Sequence, residues 1–145
     1  MSKRPEFKFD GHTTYCTVFY EGRGFTASTT CLPQDLDMKT DRVGMDIALQ
    51  KAQIKCYKFI KNCELKPQLK CLKQLYESIR FGKEFNEHSH EARGIRRNIR
   101  LIEQDLDVIN ALIEIAEEDL VNYIHSKDEF YNKVRAHRAN KVKTN

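Results

Sequence analysis

The chain has 145 residues, of which 40% are hydrophobic and 32% are charged, enough for one domain with a modest core. Its net charge of +4 is lower than that of most dedicated nucleic-acid-binding proteins, so composition does not favour that class. No apolar run approaches the roughly 18 residues of a membrane-spanning helix, which excludes a protein of that kind.

The cysteines and the polar start of the chain indicate an intracellular protein. Residues 2–6 carry no apolar signal segment, and no two cysteines have a CxxC spacing. An odd number of cysteines without such a spacing favours free, mostly buried thiols in a reducing cytoplasm. The five are Cys16, Cys31, Cys56, Cys63 and Cys71.

The first predicted element is a small antiparallel sheet. Residues 12–20 (HTTYCTVFY) are β-branched and aromatic and alternate between two faces. Residues 21–24 (EGRG) predict a tight turn, and residues 25–31 (FTASTTC) predict the returning strand. Residues 6–9 are expected to add an edge strand. Because a lone hairpin is marginal in water, another element must cover one face of the sheet.

A helix over about residues 40–62 is predicted to provide that cover. One of its stripes consists mainly of small residues at every fourth position, which lets the helix backbone approach a sheet closely. The stripe contains Gly44, Ala48, Ala52, Cys56 and Phe59.

A second helix is predicted to begin at Lys66-Pro67 and to stop at Gly82. Its apolar residues recur at helical spacing. They are Leu69, Leu72, Leu75, Tyr76 and Ile79.

The strongest periodicity lies in residues 95–123 and predicts a coiled-coil seam. Its members are Ile95, Ile99, Ile102, Leu106, Ile109, Ile113, Ala116, Leu120 and Tyr123. A second stripe consists of Leu101, Val108, Leu112 and Ile115. One partner helix cannot cover both stripes, so we expect burial by the chain itself and by another copy, in a homodimer or a higher even oligomer.

Together these patterns predict an α+β fold in a single domain. Residues 1–62 form the small sheet with its packing helix, residues 66–82 form the second helix, and residues 83–137 form the helical oligomerisation region. Within that region Ser126 and Glu129 have capping-box spacing, which predicts a separate short last helix. The basic tail, residues 138–145, is expected to fray.

Four arginines form the sharpest candidate site. Arg93, Arg96, Arg97 and Arg100 share one helix face near the predicted start of that helix, where cations oppose the macrodipole. Guanidinium groups bind phosphates in bidentate geometry, so a phosphorylated ligand is one interpretation. The alternative is pairing with acids of an antiparallel copy of the helix. Those acids are Glu114, Glu117, Glu118 and Asp119.

Other candidates carry weaker signals. A basic set over the first two helices fits a solvated face or weak nucleic-acid contact, and comprises Lys51, Lys55, Lys58, Lys61, Lys66, Lys70 and Lys73. The pair His88 and His90 has no thiol or carboxylate at a convincing metal-ligand spacing and fits a polar connector. There is no GxSxG motif and no phosphate-cradling glycine loop, so we predict neither catalysis nor a cofactor.

Three segments resemble a family of small phage proteins. They are residues 24–27 (GFTA), residues 31–35 (CLPQD) and residues 44–52 (GMDIALQKA), which give a G-x-x-A strand, a P-x-D turn and a helix opening G-x-x-I-A-x-x-[KR]-A. This layout is similar to the Thoeris anti-defence nucleotide sponges, which sequester a cyclic ADP-ribose signal. The resemblance implies binding of a cyclic nucleotide at a subunit junction without altering it.

The residues assigned to such a ligand come from this sequence and not from the family's motif. Arg93, Arg96, Arg97 and Arg100 would hold the phosphates, and Phe81 or Phe85 would stack on the base. The predicted function is that of a phage accessory protein that sequesters a cyclic nucleotide signal in the host cytoplasm. The alternative is an interaction protein, such as an anti-CRISPR-type inhibitor, that binds a host protein or nucleic acid.

Overall fold

The computed structural model describes residues 3–32, 35–36, 40–82 and 84–143. Within these ranges the fold is α+β, as predicted, with a three-stranded antiparallel sheet followed by helices. The strands are β1 (Glu6–Asp10), β2 (Thr13–Tyr20) and β3 (Arg23–Thr30), and the α-helices are α1 (Asp41–Phe59), α2 (Lys66–Arg80) and α3 (His90–Lys143). Pro33 and Gln34 of the P-x-D turn lie outside the described residues.

Two-residue turns connect the strands in the order β1-β2-β3. Between β2 and β3, Glu21 and Gly22 both have positive φ angles, of 48° and 78°, as a type I′ turn requires. Arg23 and Gly24 already belong to β3, so this turn is shorter than the predicted one. The reason is that positive φ at two successive residues reverses the chain without further residues.

One face of the sheet is buried in the core, and pairs of threonine side chains form hydrogen bonds on the other face. Thr14, Cys16 and Val18 of β2 are buried, and the residues between them are half-buried. On the opposite face Thr13 bonds Thr30 at 2.9 Å, and a second threonine pair, Thr17 with Thr26, bonds at 2.7 Å. The predicted alternation along β2 is therefore confirmed.

Helix α1 lies against the buried face through its small residues, as predicted. Ala48, Ala52 and Cys56 are buried, and a Cβ atom placed on Gly44 would lie 2.6 Å from Oγ1 of Thr14. Only glycine permits this close approach between helix and strand.

The predicted break between the first two helices is absent. A π-helical segment, Ile60–Leu65, connects α1 directly to α2, and the Lys66 N–H donates to the carbonyl of Lys61. Pro67 occupies the first turn of α2. Since proline has no N–H to donate, the wider π turn just before it carries the helix past this position.

The predicted short last helix does not form as a separate element. Ser126 and Glu129 lie inside the continuous helix α3, which reaches Lys143. The Glu129 side chain pairs with His125 at 3.2 Å instead of capping a helix end. The capping-box interpretation was wrong because i, i+3 spacing of these residue types also occurs within helices.

The two apolar stripes of α3 differ in exposure. In the first stripe Ile95, Ile109 and Ile113 are buried within the single chain, and its remaining members are half-buried. The second stripe is exposed at every position, between 40% and 59%: Leu101, Val108, Leu112 and Ile115.

The chain divides into two compact units. Unit 1 comprises residues 1–56 and 115–145, and unit 2 comprises residues 57–114. Unit 1 contains the sheet with most of α1 and the second half of α3. Unit 2 contains α2, the α2–α3 connection and the first half of α3.

All five cysteines are free, but they are less buried than predicted. Cys16 and Cys56 are buried, Cys31 is intermediate, and Cys63 and Cys71 are exposed. Burial raises the pKa of the Cys16 thiol and disfavours its reactive thiolate form.

Candidate anion-binding site

The candidate residues lie in unit 2, around the connection between α2 and α3. Helix α2 ends where the Gly82 N–H donates to the carbonyl of Ile79 at 3.0 Å. Helix α3 begins where the Ser89 hydroxyl accepts a bond from the Ala92 N–H at 3.1 Å, as an N-cap does. Local hydrogen bonds therefore define both ends of the connection. His88 lies in this connection, whereas His90 is already the first residue of α3.

Arg96 holds this connection in place. Its guanidinium donates to the Tyr76 hydroxyl at 3.0 Å and to the Glu87 carbonyl at 2.6 Å. The guanidinium carbon also lies 5.9 Å from the centre of the Tyr76 ring. One arginine thus ties α3 both to α2 and to the connecting segment. Two of its five N–H donors are engaged inside the protein, so Arg96 has a structural role here.

Phe85 packs on the same tyrosine. Its ring meets the Tyr76 ring edge-on, with centroids 6.0 Å apart and an angle of 86° between the planes. The structure therefore brings Arg96 and Phe85 together around Tyr76. The sequence placed Tyr76 only in the apolar stripe of α2 and gave no sign that it would join these two residues.

The other three arginines take no part in these hydrogen bonds. Arg93, Arg97 and Arg100 are exposed, and in the described part of the chain their side chains make no hydrogen bond or ion pair. Their spacing of four and three residues places them on one helix face. We call these three residues the arginine face.

Phe81 differs from Phe85 in its accessibility. It ends α2, and its side chain is 82% exposed. An exposed ring of this size offers an apolar face on which a planar group can stack. Of the two predicted aromatic residues, Phe81 is the one available to a ligand.

The predicted basic set divides between two environments. Lys51 and Lys55 donate to the carbonyls of Ser28 and Thr26 on edge strand β3, at 3.4 Å and 3.0 Å. These bonds occupy carbonyls at an open sheet edge, which is a structural role. Lys66, Lys70 and Lys73 are exposed along α2.

No group of three His, Cys, Asp or Glu side chains in the described ranges is arranged to hold a metal ion. His88 lies 3.9 Å from Glu87, and both side chains are largely exposed. In the same ranges no helix combines the length and apolar character needed to cross a membrane.

No protein-family model, curated protein or solved structure matches this chain.

Proposed function

We propose that this protein binds a phosphorylated small molecule without altering it. The specific form of the proposal is a phage protein that sequesters a cyclic nucleotide used as a host defence signal. The observation that carries it is the arginine face of Arg93, Arg97 and Arg100, which has three exposed guanidinium groups without partners in the described part of the chain.

The placement of these charges does not serve the helix itself. Three cations on one face of α3 repel one another, and Arg93 in the first turn also opposes the helix dipole. A bound phosphate removes both penalties and accepts the bidentate hydrogen bonds that guanidinium groups donate. Arg96 is left out of this role because its guanidinium is held by hydrogen bonds to Tyr76 and Glu87.

Phe81 supplies the second part of the proposed recognition. Base stacking on an aromatic ring contributes about 1–3 kcal/mol in nucleic-acid complexes. Phe81 is exposed and lies in the same unit as the arginine face. A nucleotide offers both a planar base and phosphates, which favours it over a simple inorganic anion.

We also propose that the chain self-associates through the second stripe of α3. The first stripe is buried or half-buried within one chain, whereas Leu101, Val108, Leu112 and Ile115 are all exposed and lie on one face of the helix. Their spacing of seven, four and three residues is that of a coiled-coil seam. The partner that fits it best is a second copy of the same helix.

Charge favours an antiparallel pair. The arginine face precedes the second stripe, and the acidic residues Glu117, Glu118 and Asp119 follow it. An antiparallel arrangement sets each arginine face opposite the acids of the other copy, whereas a parallel one sets arginines against arginines. In the antiparallel pair the arginine face would lie at a subunit junction.

Ligand binding is tested by calorimetric titration with cyclic ADP-ribose and with cyclic dinucleotides. Replacing Arg93, Arg97 and Arg100 together by glutamine should weaken binding at least about tenfold. The matched control replaces Lys66, Lys70 and Lys73 by glutamine, which removes the same charge from exposed positions on α2 and should leave affinity unchanged. Equal losses in both variants, or no binding by the native protein, would refute the site.

Sequestration without catalysis has a separate readout. The bound nucleotide should be recovered with unchanged mass after the complex is denatured. A converted product would show that the protein is an enzyme.

Self-association is tested by light scattering during gel filtration of Val108→Lys. The charge lies in the centre of the second stripe and should give monomers. Val121 is also exposed on α3, but it lies outside the stripe, so Val121→Lys should keep the native mass. A native protein that is already monomeric, yet retains a host protein through Val108, would favour the alternative of an interaction protein.

A further inference from the structure

Unit 1 contains a cavity that the proposed function does not use. It lies beside the end of β3 and the first turns of α1, and its volume is about 150 Å³. The apolar side chains of Val43, Ile47 and Ile124 and the buried Tyr131 ring line it together with four threonines, Thr14, Thr29, Thr30 and Thr40. An engineered apolar cavity of about 150 Å³ holds one benzene ring, so this space suits a single ring or a branched aliphatic group.

A second hollow of about 190 Å³ adjoins the first. The two share Leu32, Asp35, Asp128 and Tyr131, and the second adds Asn132 and Arg135 from α3. The combined space therefore has an apolar inner part and a polar outer part. Such a division fits a ligand with an apolar body and a polar head, as small-molecule sites commonly do.

The charges of the outer part favour a cationic head. Asp35 is 8% exposed and forms an ion pair with Arg135, whose guanidinium also bonds Asn132 at 2.8 Å. Asp128 is exposed, and no hydrogen bond or ion pair of its carboxylate is found among the described residues. Two carboxylates and one guanidinium leave one uncompensated negative charge beside the apolar cavity.

The Tyr131 hydroxyl is affected by this charge. Its pKa is raised by burial first, then by the neighbouring Cys31 and by Asp128. The phenol therefore stays neutral at physiological pH and can both donate and accept a hydrogen bond. Asp128 and Tyr131 both line the two hollows.

We propose that this site binds a small primary amine with one apolar ring, with the ring in the inner cavity and the ammonium group on the Asp128 carboxylate. The binding is independent of the arginine face, which recognises the opposite charge. The site thus gives the protein a second ligand class of its own.

The experiment uses the full chain with labelled isoleucine methyl groups, observed by NMR. Phenethylamine is the probe, and 2-phenylethanol is the neutral control with the same ring. Saturable shifts should appear at Ile47 and Ile124 with the amine, and the alcohol should bind about two- to fivefold more weakly because it cannot form the ion pair with the exposed Asp128.

Asp128→Asn should weaken binding of the amine about two- to fivefold, to the level of the alcohol. Asp128 is exposed, so this variant should fold. Asp119→Asn removes an exposed acid of the same helix that does not line the cavity, and should leave the affinity unchanged. The proposal is overturned if amine and alcohol bind equally, if Asp128→Asn has no effect, or if Ile47 and Ile124 do not respond to phenethylamine.

Discussion

The two units of this chain differ in how completely they cover their own apolar residues. Unit 1 buries side chains from the sheet, from α1 and from α3, including Cys16, Phe25, Ala52 and Tyr131. In unit 2, helix α2 has no buried residue. The exposed apolar side chains of this unit include Leu75 of α2 and Leu101 and Val108 of α3.

This difference indicates different tasks. A sheet covered by a helix closes its own core, so unit 1 gains its stability from internal packing. In unit 2, Ile109 and Ile113 of the first stripe are buried, whereas Val108 and Leu112 of the second stripe are exposed. Unit 2 also carries the arginine face. Its exposed apolar stripe and its arginines, which are unpaired among the described residues, both point to binding. Changes of packing should therefore matter most in unit 1, and changes of charge should matter most for binding in unit 2.

The largest expected effect on stability is at Gly44. Gly44→Val places atoms where Thr14 already lies, and overpacking of this kind costs about 1–3 kcal/mol of unfolding free energy. The measurement is the urea midpoint followed by circular dichroism. Gly94→Val in unit 2 is the control, since no atom lies within 4 Å of its added Cβ, and a change within about 0.5 kcal/mol is expected. Equal midpoints for both variants would contradict the close contact.

The next effect concerns the ion pair of unit 1. Arg135→Ala leaves the buried Asp35 carboxylate without this partner and should cost about 1–3 kcal/mol. Adding Asp35→Asn should restore part of the loss, because the neutral amide is cheaper to bury. Lys133→Ala, an exposed cation on the same helix, serves as the control in the same denaturation experiment. If the double variant is less stable than Arg135→Ala alone, the buried charge is not the cause.

Substitutions of two neighbouring arginines separate a structural role from a binding role in unit 2. Arg96→Ala removes the bonds to Tyr76 and Glu87 and should cost about 1–2 kcal/mol, with faster amide exchange in residues 84–89. Arg97→Ala should leave stability and exchange unchanged and weaken nucleotide binding. If Arg97→Ala lowered stability and Arg96→Ala weakened only binding, the roles assigned to these two residues would be wrong.

The smallest effect is a pH dependence in unit 1. Burial, followed by the hydrogen bond to Asp46 at 2.9 Å, raises the pKa of Tyr123 from 10.0 to about 12. A raised pKa in the folded state means that the folded protein holds its proton longer, so this contribution is complete below pH 10 and is lost between about pH 10 and 12. Unfolding midpoints at pH 9 and pH 11 measure it. Tyr123→Phe should reduce the difference between the two midpoints, and an unchanged difference would assign it to other groups.

Local patterns predicted much of the fold. The alternation along residues 12–20 gave β2, and the small residues of α1 gave the helix face that meets the sheet. The prediction of a break at residues 62–66 was wrong because a π-helical segment continues the helix up to Pro67, a residue type that often marks the start of a new helix. The predicted helix start at Ser126 failed because its capping pattern also fits a helix interior.

The candidate site was predicted only in part. Four arginines on one face follow from their spacing, but the sequence could not separate Arg96 from the other three. That distinction depends on Tyr76, twenty residues away in the chain. The same holds for Phe81 and Phe85, which are both aromatic residues of one connecting segment and differ only in what packs against them.

The sequence by itself determined the strands, the helix faces and the positions of the arginines, because these follow from side-chain periodicity along a regular backbone. The tertiary structure alone decided which stripe of α3 stays exposed, which arginine is occupied, and where Asp35 meets Arg135, one hundred residues later. It also created the cavity beside Asp128. Such features depend on contacts between residues distant in sequence, which no local spacing encodes.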